Sequence, residues 1–157
     1  MKSIKHNLYI PLLFLILSLG FSNCDKLPKN GELDGMWQLM EIQYNNNGSY
    51  DSIVNQKEKQ IYLSIQLDLF AFKSYKTFYP PLTEETIGRF NHTNNKLKLY
   101  DFYKHYDDKD VSIDNVNTTI LRPLGIDGNK ADFTIEDLDS EKMILYSTYA
   151  RIILRKF

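Results

Sequence analysis

The chain has 157 residues, 43% of them hydrophobic, and a formal net charge of −1 from 19 basic and 20 acidic side chains. That length suits one domain with a core of its own. Nearly balanced charge, with no basic stripe interleaved with aromatic residues, excludes nucleic acid as a partner, and a single cysteine, Cys24, excludes disulfides within the chain.

Residues 1–23 have the anatomy of an export leader. Lys2, Lys5 and His6 form a basic end, and Leu8 to Phe21 is an apolar run of 14 residues. A helix needs about 20 residues to cross a bilayer core of about 30 Å, so the run reads as a signal and not a span. Phe21-Ser22-Asn23-Cys24 then resembles the lipobox of bacterial lipoproteins. That resemblance implies a diacylglycerol on the sulfur of Cys24 and removal of the leader, whereas a buried free thiol is the plain alternative. Residues 24–32, with Pro28 and Gly31, read as a polar tether, and residues 33–157 as the folded domain. The expected location is the cell envelope, at the bacterial outer membrane, with the membrane itself as a partner through Cys24.

Gly35 to Tyr44 reads as a first strand, with Trp37 and Leu39 on one face and Met40, Ile42 and Tyr44 on the other. Asn45 to Ser49 is a turn cluster, and the polar stretch to Gln60 reads as loop. From Ile61 to Ala71 apolar residues alternate with polar ones, the pattern of a half-buried strand. The alternation breaks at Leu69-Phe70-Ala71-Phe72, where a bulge, a strand junction or an aromatic patch are the alternatives. Thr86 to His92 and Lys96 to Tyr103, joined at Thr93-Asn94-Asn95, read as a hairpin.

A helix is expected next. Ser112 suits its N-cap, Ile113, Val116 and Ile120 fall on one face, and Pro123 with Gly125 closes it. The remainder is a meander of three strands: Ala131 to Leu138, Glu141 to Ser147 and Tyr149 to Phe157. Short antiparallel strands joined by tight turns predict a mostly β fold that must close or be covered.

The Gly35-Met36-Trp37 that opens the first strand and the terminal Ile152 to Phe157 resemble the lipocalin-like lipoproteins of Bacteroidetes. Phe133 to Leu138 followed by Met143 to Tyr146 looks like that family's penultimate hairpin, and the likeness covers most of Leu33 to Phe157. It implies an antiparallel up-and-down β-barrel, or a strongly curved sheet, which the helix from Ser112 would cover as its one short helix. It further implies that Trp37 packs at the closed end under a basic residue of the last strand, Arg155 or Arg151, as a cation–π contact.

Catalysis has little to work with. His92 and His105 are the imidazoles left after the leader, and no nucleophile elbow, paired metal ligands or phosphate loop appears; neither enzyme activity nor a cofactor is expected. His105 to Asp110 is the nearest thing to a cation site, but it lacks the further ligands and the glycine of a calcium loop and reads as a solvated acidic loop. Asp51-Ser52-Ile53 matches a short O-glycosylation pattern of Bacteroidetes secreted proteins, with an ordinary loop serine as the alternative.

Eleven tyrosines and nine phenylalanines are many for this length. Phe70, Phe72, Tyr75, Phe78, Tyr79, Tyr100, Phe102, Tyr103 and Tyr106 fall in segments that could meet at a barrel mouth and line a site for a small apolar or amphipathic ligand. Ordinary core plus scattered surface tyrosine is the competing reading. Phe70 is expected under the helix, with Phe72 left for the ligand. In a different class of function, the domain is a protein–protein module docking on another envelope component, with no ligand cavity.

Overall fold

The computed structural model of the chain describes residues 29–76, 85–114 and 118–157. The leader, Cys24, Phe78, Tyr79 and Val116 lie outside the described residues. In chain order the strands are β1 (Gly35–Asn46), β2 (Ser49–Asn55), β3 (Ile61–Gln66), β4 (Leu69–Ser74), β5 (Glu85–Thr93), β6 (Lys96–His105), β7 (Asp110–Ser112), β8 (Ala131–Leu138), β9 (Lys142–Tyr146) and β10 (Ala150–Lys156). Neighbours in the order β1, β3, β4, β5, β6, β8, β9, β10 pair antiparallel, and β10 pairs back onto β1 from Trp37 opposite Lys156 to Tyr44 opposite Ala150. The result is a closed, eight-stranded, up-and-down barrel, with β2 appended to β1 and β7 to β6. Closure removes the sheet edges that an open meander would expose.

Sequence alternation builds the wall. Ile61, Leu63 and Ile65 of β3 point inward and are buried, while Tyr62, Ser64 and Gln66 face out. The stretch from Ile61 to Ala71, read as a half-buried strand, belongs to a hairpin: Leu67 and Asp68 form the turn, and of the alternatives at Leu69 to Phe72 the strand junction explains the broken alternation. A two-residue turn changes the parity of the pattern, so Phe70 and Phe72 point inward while Leu67 and Leu69 are left 56% and 50% exposed.

β1 also departs from strict alternation. Its register against β10 shifts between Leu39 and Glu41, so Met40 is an extra residue in the ladder. This bulge puts Trp37 and Leu39 on the same inner face as Ile42 and Tyr44, which a regular strand would have placed on opposite faces. The polar segment read as loop contains β2, whose residues are mostly exposed; a strand with no buried face leaves no period-two signal.

The expected helix from Ser112 is corrected. Ser112 ends β7, and Thr118–Leu124 is a 3-10 segment with Pro123 inside it. Thr119 and Ile120 are β-branched and stiff at χ1, and Pro123 cannot donate to an α-helical ladder, which suits the 3-10 form of Thr118–Leu124. Gly125 does close it, at φ +78°. The hairpin of β5 and β6 and the meander of β8, β9 and β10 lie where the sequence places them.

Candidate functional site

The end of the barrel where β1 begins is sealed. A 3-10 turn, Gly31–Leu33, crosses beneath it and buries Leu33 completely. Trp37 is fully buried on top of that turn and donates its indole N–H to the Leu33 carbonyl at 2.9 Å. A cation does lie over the ring, but it is Lys156 and not Arg155 or Arg151: its Nζ is 4.1 Å from the ring centroid. β10 turns Ile152, Leu154 and Lys156 inward, with Lys156 directly opposite Trp37, which leaves the odd-numbered arginines outside. Arg155 donates to the Gln38 side chain and Arg151 forks onto the Glu136 carboxylate. Lys156 also donates to the carbonyls of Glu32 and Asp34. Burial pushes its ammonium pKa down, opposed by the nearby carboxylates of Asp34 and Glu32. Gly35 is needed here because its φ of +125° is a backbone conformation that residues with a Cβ rarely adopt.

The other end is plugged by the segment after β7. Leu121, Leu124 and Ile126 are buried, and a Cβ on Gly125 would sit 2.8 Å from Ile152 Cδ1. The Tyr44 hydroxyl pins this segment by donating to the Arg122 carbonyl at 3.0 Å, and its ring meets Tyr149 edge-on at 5.5 Å. Burial, then the charge of Tyr149, pushes the Tyr44 phenol up to about 12. Between plug and base, Leu39, Ile42, Leu63, Phe90, Leu97, Leu99, Phe133, Met143 and Leu145 fill the barrel, each at most 5% exposed. What remains of a mouth is a vestibule of about 240 Å³ lined by Lys104, Tyr106, Val111, Ser112, Ile113 and Ile120. Thr86 lies opposite Lys104, and its buried hydroxyl has no hydrogen-bond partner among the described residues.

Of the described aromatic residues singled out from sequence, Tyr106 lines this vestibule and the others lie elsewhere. Phe70, Phe72 and Phe102 are core, with ring centroids 5.8 and 5.1 Å apart for the Phe70–Phe72 and Phe70–Phe102 pairs. Phe70 is covered by the barrel interior and not by a helix: it lies over Gly88, where an added Cβ would come 2.5 Å from its Cζ. Phe72 is 3% exposed and not free for a ligand. Tyr75 meets Tyr62 edge-on at 5.5 Å on the outer wall, and Tyr100 and Tyr103 also face outward. Of the polar candidates, the His92 ring meets the Asn94 carbonyl at the hairpin tip, and His105 meets Asp110 at 2.7 Å, closing β6 onto β7. Asp110 raises the His105 pKa by that hydrogen bond, against a smaller lowering by desolvation. No group of metal-ligating side chains forms among the described residues.

A larger concavity crosses the outside of the wall, about 460 Å³ in volume. Strand registers account for it. Ser64, Ala71, Ile87 and Tyr103 are successive cross-strand neighbours on β3, β4, β5 and β6, all facing out. On one side of this row stand Tyr62, Lys73, Glu85 and His105, with Lys73 and Glu85 3.9 Å apart. On the other stand Gln66, Leu69, Arg89 and Tyr100, with Arg89 bound to Asp68 at 2.8 Å. Ser64 and Ala71 are short beside these taller rows, and with Ile87 and Tyr103 they line a trough about 14 Å long across four strands. A bulge deepens it: the β5–β6 register shifts between Ile87 and Arg89, and Asp101 takes a left-handed φ of +53° beside Gly88. The floor is apolar, and the charges sit on the rims.

The sequence pattern of the lipocalin-like domain family matches residues 18–157. The chain belongs to that family. Its fold is shared with a lipocalin-like protein from Bacteroides uniformis, at a TM-score of 0.57 and 20% identity over 81% of this chain and all of that one. An uncharacterized protein from Bacteroides eggerthii matches at a TM-score of 0.51 and 18% identity, over 79% and 98%. No curated protein matches the chain.

Within this lipocalin-like barrel, neither the trough nor the vestibule follows from the motifs that mark the family. Ser64, Ala71 and Gly88 are small residues in strand interiors, which hints at a close approach or a hollow. Only the register, however, makes neighbours of Ser64, Ala71 and Ile87.

Proposed function

We propose that the chain is a lipid-anchored envelope protein, held by an acylated Cys24, that binds a small amphipathic molecule on the outside of its barrel. The observation that carries this reading is the contrast between the two faces of β3 to β6: packed phenylalanine and leucine inside, an apolar trough within the about 300–1,000 Å³ range of ligand sites outside. Ile87, Ala71 and Leu69 offer area to an apolar body. Arg89 and Asp101 at the rims orient a polar group of either sign. No catalytic step is assigned to these residues.

The test is a thermal-shift screen of fatty acids, sterols and aromatic amphiphiles against the wild-type protein and Ala71→Arg. Arginine at this outward position fills the trough from its floor and leaves the core untouched. A ligand that stabilises the wild type and not the variant supports the reading; one that stabilises both equally places binding elsewhere. A second reading, docking on another envelope protein, is favoured by β2, which pairs only with β1 among the described residues and so presents a strand edge to β-addition. Capture of an envelope protein that is lost when Ile53 is replaced by Pro would favour that alternative.

A further inference from the structure

We infer that the β3–β4 corner at the sealed end of the barrel seats on the membrane surface, with Leu67 and Leu69 in contact with lipid. This rests on the proposed anchor at Cys24. The chain enters the fold at Asn30, which is fixed in place: its backbone N–H and side-chain amide donate to the Asp34 carboxylate at 3.0 and 2.6 Å. The same amide donates to the Leu67 carbonyl at 2.9 Å, which joins the end of the tether to this corner of the barrel. Six positions separate Cys24 from Asn30, and fully extended residues span at most about 3.3–3.6 Å each, so the corner stays within about 20 Å of the lipid. So short a leash keeps the effective concentration of the corner at the membrane high.

What the leash presents is a pair of exposed leucines beside the Arg89–Asp68 ion pair. Leu67 occupies a turn position at φ +59°, where glycine or asparagine is the unstrained choice, and its side chain is 56% exposed. It therefore carries a backbone cost without a core contact in return. Leu69, two positions on, is 50% exposed and faces out beside it. A bilayer surface gives both side chains the burial that the fold withholds. The same seating brings the lower rim of the trough, Gln66, Leu69 and Arg89, to the headgroups, where amphipathic molecules are concentrated.

The experiment uses the lipidated protein reconstituted in vesicles of phosphatidylethanolamine and phosphatidylglycerol. A nitroxide is placed by Leu67→Cys or, at the exposed turn of the opposite end, by Thr148→Cys. The oxygen-to-nickel accessibility ratio at residue 67 should exceed that at residue 148 several-fold. With the label moved to Asp68→Cys, the double replacement Leu67→Asn and Leu69→Thr should return it to the aqueous ratio. Equal aqueous ratios at 67 and 148 in protein whose Cys24 carries diacylglycerol by mass spectrometry would overturn the seating and leave the anchor standing. Absence of diacylglycerol on Cys24 would overturn the anchor, and the seating with it.

Discussion

Leu69 and Phe70 are adjacent in sequence and on the same strand, yet Phe70 is 2% exposed and Leu69 is 50% exposed. The two faces of β3 to β6 divide the apolar content of the chain between two tasks. Inward residues fill the barrel from the Trp37 base to the Leu121–Ile126 plug and hold the fold together. Outward ones make a trough with no counterpart in the core. Hydrophobicity alone does not separate these tasks. Parity relative to each turn and bulge does, because one extra or missing residue sends a side chain to the other face.

The comparison breaks most visibly at the core. Trp37→Ala should destabilise by about 3–5 kcal/mol in urea unfolding, because a fully buried ring leaves a cavity; a loss under about 1 kcal/mol would place the ring at the surface. Phe72→Ser should cost a similar amount, about 3–5 kcal/mol, for the same reason, and a variant as stable as the wild type would return Phe72 to a binding role. Gly88→Ala tests the seam between the faces. Its methyl would overlap the Phe70 ring, and overpacking of this kind costs about 1–3 kcal/mol.

On the outer face Leu69→Thr should change stability by no more than about 0.5 kcal/mol, while weakening any ligand held in the trough. The smallest effect is expected at His105. Asp110 holds its pKa above the ordinary imidazole value, so the ion pair supports the β6–β7 hairpin below that ordinary value and releases it as pH rises through the raised one. An NMR titration should show the Val111 amide following His105 in wild type and flat in His105→Gln.

The barrel was largely legible because each signal is local. The Asn94-Asn95 turn fixes one hairpin, and the alternation of Ile61, Leu63 and Ile65 fixes an inner face. Gly35 and Trp37 at the head of β1 mark the base. Three features were hidden for stated reasons. β2 has no buried face to write a period. The leucine turn at Leu67 lacks the glycine or asparagine that announces a hairpin. The spacing of Ile113, Val116 and Ile120 suggests a helix, whereas Ile120 lies in a 3-10 segment that contains Pro123. The site was less legible than the fold. Aromatic residues pointed to a mouth, whereas Phe70, Phe72 and Phe102 serve the core. The trough is built from Ser64, Ala71 and Ile87, which no motif connects.

Amide-shift mapping by NMR during titration with an amphipathic probe, anilinonaphthalene sulfonate, tests the division of faces most directly. Saturable shifts clustered at Ser64, Ala71, Ile87 and Tyr103, with the amides of Lys104, Ile113 and Ile120 and the interior Leu63, Leu97 and Leu145 unmoved, are the predicted result. Shifts concentrated at the vestibule and the interior, with the trough silent, would contradict it and return binding to the inside of the barrel.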